Sequence, residues 1–140
     1  MTVPRAVATL ITSRRLEPVP ADRPSARLRL TRAEEKLEAA RKIAAIDVEI
    51  AYVTAYDAMR IAVTAHMLSL GYRVRAITAA HEAVGIYAEA MINSPSTLEY
   101  HRIRRRRNKS EHDDIAIGTA DLTADLIHTD AIIQVVRAAL

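Results

Sequence analysis

The chain has no cysteine, no tryptophan and no phenylalanine, and only three glycines in 140 residues. Without cysteine there is neither a disulfide framework nor a zinc–thiolate site. Three scattered glycines exclude a glycine-rich phosphate loop. Tyrosine alone carries the aromatic content, and few aromatics accompany the basic residues. No apolar run approaches the length of a membrane span. Met1–Arg15 holds a short apolar patch, but Arg14, Arg15 and Glu17 do not make a cleavage site. These absences lead to an expectation of a cytoplasmic protein with no membrane partner.

What remains is rich in Ala, Ile, Leu and Val; 50% of the residues are hydrophobic. Such Ala-rich, Gly-poor composition favours packed helices. A length of 140 residues fits one domain with a real core. The formal net charge is only +3, and the excess sits around Arg102–Lys109. The expected organisation is an irregular segment over 1–23, interrupted by Pro4, Pro18 and Pro20, then a helical domain over 24–140.

Within that domain the apolar spacing predicts helices. The first starts near Pro24 or Ser25, or at the capping-box pattern Thr31/Glu34, with Leu30, Ala33, Leu37, Ala40 and Ala44 as its stripe. The second runs from an Asp47 cap to Leu70 and stops at Gly71. Its broad apolar face makes it the central helix of a bundle. Asp57 and Arg60 interrupt it at a spacing that allows an ion pair, and His66 reads as a packing histidine. A third helix spans about Ala76–Ile92 on Ile77, Ala80, Val84, Tyr87 and Met91. Gly85 in its middle suggests close approach of another backbone. His81 reads most simply as a packing residue. The chain breaks at Asn93-Ser94-Pro95. A fourth helix runs from about Ser96 through Asp114, and a last one starts near Thr119 after Gly118. The inner stripe of the last, Leu122, Leu126, Ile133, Val136 and Leu140, is widened by Ile132, Val135 and Ala139. That breadth suggests a share in an oligomer interface.

The fourth helix is unlike its neighbours. His101–Asp114 reads HRIRRRRNKSEHDD: five arginines, one lysine, two histidines and three acids in fourteen residues. A helix polar nearly all round must face solvent, a cleft or a partner. Asn108 and His112 lie one turn apart on a shared face, and the long Arg107 side chain reaches the same space. A guanidinium that holds phosphate beside a histidine that moves protons is a minimal kit for cleaving RNA. Arg102, Arg104, Arg105, Arg106 and Lys109 suit phosphate backbone contacts, with Tyr100 the one nearby stacking candidate. The bland alternative is a solvated helix balanced by Glu99, Glu111, Asp113 and Asp114. His101, Glu111, His112, Asp113 and Asp114 lack a recognisable metal-ligand spacing, so no metal and no cofactor are expected.

The Arg107-Asn108-x-x-x-His112 motif on a late helix resembles the HEPN superfamily. Ala55–Val84, with Tyr56-Asp57-Ala58-Met59-Arg60, Gly71-Tyr72-Arg73-Val74-Arg75 and Ala80-His81, resembles the middle of bacterial HEPN proteins of toxin type. The resemblance implies an all-α, up-and-down bundle of four or five helices that dimerises, with two motifs meeting at a shared cleft. It implies a metal-independent endoribonuclease of a toxin–antitoxin or phage-defence system. Arg107 and His112 take the catalytic positions and Asn108 the supporting one, with Asp57, Arg60 and His81 as candidate braces. The partners implied are RNA, a second copy and a cognate antitoxin. Members paired with a nucleotidyltransferase antitoxin commonly carry Tyr two residues beyond the His. This chain has Asp114 there and Tyr100 on the far side of the motif. That departure disfavours nucleotide modification and leaves the antitoxin type open, a nucleotidyltransferase included. The alternative is a non-catalytic HEPN-like module that binds RNA or nucleotide. A third reading is a helical interaction protein whose arginines meet an acidic partner.

Overall fold

The structure, a computed structural model, describes residues 3–112 and 116–140, with side chains at 3–110 and 116–140. It is an all-α bundle built on three long helices. α2 (Arg23–Ile43), α3 (Val48–Leu70) and α6 (Thr119–Ala139) pack side by side. Shorter α1 (Arg5–Thr12), α4 (Ala80–Met91) and α5 (Tyr100–His112) close the flanks. A two-stranded antiparallel ribbon joins β1 (Leu16–Pro18) to β2 (Tyr72–Val74). No helix among the described residues is long and apolar enough to cross a membrane.

Local signals place the long helices. The Asp22 carboxylate accepts from the Ser25 amide at 3.0 Å, so α2 starts ahead of the Thr31/Glu34 pattern. The Asp47 carboxylate caps α3 through the Ile50 amide at 3.0 Å. Gly71, at φ 91°, ends it in the left-handed conformation that glycine adopts freely. A Cβ there would lie 2.8 Å from the Val19 carbonyl oxygen, so this glycine also admits the N-terminal strand. α3 is the central helix, buried from Ala51 through Met67 on most of its circumference. α6 meets both α2 and α3, which absorbs most of its broad apolar face: Ile132, Ile133 and Val136 are fully buried.

The N-terminal segment differs from expectation. Residues 5–12 are helical, because Pro4 stands at the cap, outside the turns it would break. Pro18 ends β1 and so interrupts nothing either. Val7, Leu10 and Leu16 are buried in the main core, so the segment is part of the domain. The short connection after Gly71 is β2, paired with β1 in the register Leu16–Val74 and Pro18–Tyr72.

α4 also starts later than its apolar spacing suggests. The Arg75 amide donates to the Arg15 carbonyl at 3.0 Å, which prolongs the extended path. Turns then carry the chain to Ala79, at φ 63°, and leave Ile77 45% exposed outside the stripe. Arg15 steadies this strained junction, donating to the Ala79 carbonyl at 3.1 Å and to Glu82 at 3.0 Å. Gly85 does mark a close approach, but to side chains: a Cβ there would lie 2.5 Å from the Tyr100 ring and 2.6 Å from the His101 ring.

His66 is the core histidine that the spacing suggests. It is buried, with Nδ1 2.8 Å from the Tyr87 hydroxyl. Burial lowers its pKa below the ordinary 6.5. Below that value the unfolded chain binds more protons than the folded one, so stability drops as pH falls through it. Urea unfolding should show stability declining from pH 7 to pH 5 by up to about 1.4 kcal/mol per unit per proton. His66→Gln should flatten that slope. An unchanged slope would assign the protons to other groups.

Candidate functional site

α5 is entered through a tight 3-10 turn over Pro95–Glu99, which the Ser94 hydroxyl caps. That turn occupies the start expected for the fourth helix. α5 then carries its charges on two distinct faces, anchored by Tyr100 and Ile103, both fully buried.

One face meets α6 at Asp125, whose side chain is 3% exposed. Arg102 grips Asp125 with two donors, Nη2 to Oδ1 at 2.7 Å and Nη1 to Oδ2 at 3.2 Å. Arg106 Nη1 adds a third contact at 2.9 Å, and the Tyr52 hydroxyl of α3 donates at 2.6 Å. Arg102 also holds Glu99 at 2.7 Å, and Arg106 lies 3.6 Å from Asp121. Burial alone would raise the Asp125 carboxyl. The bonds from Arg102 and Tyr52, with the charges of Arg102 and Arg106, hold it below the ordinary carboxylate range. Burial, then the Asp125 bond, pushes the Tyr52 phenol well above its usual value. Two of the presumed RNA contacts, Arg102 and Arg106, are therefore bound into the fold. Arg105 and Lys109 are exposed.

The other face meets α3 and α4 around the buried Tyr56. The Arg107 guanidinium carbon lies 5.5 Å from the centre of the Tyr56 ring, within cation–π range. The His81 ring lies 5.7 Å from the same centre. The Tyr56 and Tyr100 hydroxyls are 3.3 Å apart. Tyr100 is 0% exposed, so it packs α5 onto α3 and offers no ring for a base, a correction to its stacking role. Arg107 Nη1 donates to Asn108 Oδ1 at 3.1 Å, so the Asn108 amide group retains its own two donors.

Asp57 and Arg60 reach each other only at 3.9 Å, and Lys36 reaches Asp57 at 4.0 Å. Arg104 is half-buried, and no described residue accepts from its buried Nε or from that of Arg60. His81 is half-buried too. Burial lowers its imidazole, and the charges of Arg60, Arg107 and Arg104 lower it further against the opposing Asp57. Both effects favour the neutral imidazole. The structure thus gathers Asp57, Arg60, His81, Arg104, Arg107 and Asn108 at one junction. The His112 side chain lies outside the described residues, as do those of Glu111, Asp113 and Asp114. The backbone of α5 runs through His112, one turn beyond Asn108.

Two residues had no assigned role from sequence. Tyr56 is the hub between Arg107 and His81, yet a tyrosine on a helix reads as ordinary core. Asp125 interrupts the buried stripe of α6 between Leu122 and Thr129, and an acid at such a position signals a buried counter-ion. Among the described residues, no group of three His, Asp or Glu side chains is placed to hold a metal ion.

Removing one partner of a buried ionic network leaves the rest unpaired and costs about 3–5 kcal/mol. Asp125→Ala should approach the lower figure, because Arg102 and Arg106 keep some solvent access. Tyr52→Phe should cost about 1 kcal/mol, one hydrogen bond. Urea denaturation measures both; an Asp125→Ala loss under about 1 kcal/mol would contradict the clamp.

In comparisons with family models, curated proteins and solved structures, nothing matches this chain.

Proposed function

We propose that the chain is a metal-independent endoribonuclease of HEPN type, acting as a homodimer. The observation that supports this most is the cationic junction around Tyr56. Among the described residues, Arg60, Arg104 and Arg107 share it with the carboxylate of Asp57 as charges acting on His81. Such a site favours a group with spread negative charge, and a phosphodiester fits. The motif Arg107-Asn108-x-x-x-His112 adds a proton-transfer group one helical turn away.

The chemistry follows from RNA itself. The 2′-oxygen loses its proton and attacks phosphorus; the 5′-oxygen leaves and takes a proton. The products are a 2′,3′-cyclic phosphate and a free 5′-hydroxyl. Arg107 stabilises the extra charge on the non-bridging oxygens. Asn108 donates to phosphate or orients His112. Two copies of His112 across a two-fold axis serve as base and acid. A toxin neutralised by a cognate antitoxin is the biological setting of this reading.

A non-catalytic RNA- or nucleotide-binding module is the second reading, because the same cationic junction would serve binding alone. Cleavage of a mixed RNA pool in EDTA separates the two. Wild type should cleave and leave cyclic phosphate ends. His112→Ala should lose about 100-fold or more, and Arg107→Ala a similar factor. Full activity in His112→Ala would exclude the assignment. RNA retained without cleavage by wild type would favour the binding module.

A further inference from the structure

The opposite side of α5 carries a second basic feature that the proposed chemistry does not use. A cavity of about 340 Å³ opens between α5 and the start of α6. Arg102, Arg105, Arg106 and Lys109 line it against Asp121 and the apolar Ile117. Its size lies in the range of small-ligand sites, roughly 300–1,000 Å³.

The charges divide into two pairs. Arg102 and Arg106 are held by Asp125, so their guanidinium groups are fixed before any ligand arrives. Arg106 does so through Nη1. Arg105 and Lys109 sit one turn apart, both exposed, and neither pairs with an acid among the described residues. Like charges at this spacing repel each other. An anion between them would relieve that repulsion. The amino-terminal end of α6 borders the same opening, where the Asp121 carboxylate accepts from the Gly118 amide at 3.2 Å.

We infer that this α5–α6 cavity is a phosphate-binding site, separate from the Tyr56 junction. Arg106 supplies a fixed guanidinium, Arg105 and Lys109 supply charge that no acid among the described residues pairs, and Ile117 walls the site. The ligand is a phosphate group with at least two free oxygens, from an RNA backbone or from a free phosphorylated compound. The inference does not depend on RNA cleavage. If the chain cleaves RNA, this site would hold a backbone phosphate away from the scissile one.

The test is a titration of the full chain, followed by amide NMR, with two probes. One is inorganic pyrophosphate; the other is a 2′-O-methylated oligoribonucleotide, which has no nucleophile and cannot be cleaved. Both should shift the Lys109 and Ile117 amides. A response to pyrophosphate alone keeps the site and assigns it to free phosphate compounds. Arg105→Ala with Lys109→Ala should weaken binding about tenfold or more and flatten its salt dependence by about 1–2 in log–log slope. Arg32→Ala with Lys42→Ala removes the same charge from the exposed face of α2 and should change neither. Equal weakening by both double variants, or unmoved Ile117 and Lys109 amides with both probes, would overturn the inference. Failure of RNA cleavage in EDTA leaves it standing, because neither probe reads cleavage.

Discussion

The carboxylate of Asp125 holds the most polar helix of the protein against its apolar scaffold. α5 has only Tyr100 and Ile103 to bury, too little apolar surface to dock thirteen residues firmly. Asp125 supplies the difference. It takes three guanidinium contacts from Arg102 and Arg106 and one phenol contact from Tyr52, linking α3, α5 and α6 through one buried group. Such networks are stable when every member is satisfied and costly when one is removed. Asp125 meets the first condition on both oxygens.

This clamp sets the rotation of α5, and the rotation sorts its charges. With Arg102 and Arg106 turned to α6, Arg104, Arg107 and Asn108 fall toward α3 and α4. There they meet Tyr56, Arg60 and His81. Arg105 and Lys109 are left at the solvent edge. A run of arginines that looks uniform in sequence thus has three roles: structural counter-ion, junction cation and exposed cation. The proposed ribonuclease chemistry uses the second group. The proposed phosphate site uses the third, steadied by the first.

Much of the scaffold was legible in the sequence, because its signals are local. Asp47 and Gly71 bound α3, Gly118 precedes α6, and the apolar stripes point inward. What escaped depends on partners distant in sequence. β1 and β2 are too short to announce themselves and exist because each supplies the other's ladder. Prolines suggested an irregular N-terminus, yet Pro4 sits where a helix tolerates it. The start of α4 is displaced by a backbone bond that the Arg75 amide donates to the Arg15 carbonyl, which no window around Ala76 contains. In the candidate site, Asp57, Arg60, His81 and Arg107 do converge. The burial of Tyr100 and the capture of Arg102 and Arg106 were not legible, since both depend on which face of α5 meets Asp125.

The most direct measurement of this account is native-state hydrogen exchange on Asp125→Asn beside the wild type. That substitution keeps the shape but removes the charge. Loss of the clamp should raise exchange across α5 by tenfold or more beyond any rise in the α2–α3 core, about 1.4 kcal/mol of local stability on top of the global loss. Uniform change over all helices, or unchanged protection in α5, would contradict the claim that Asp125 positions this helix.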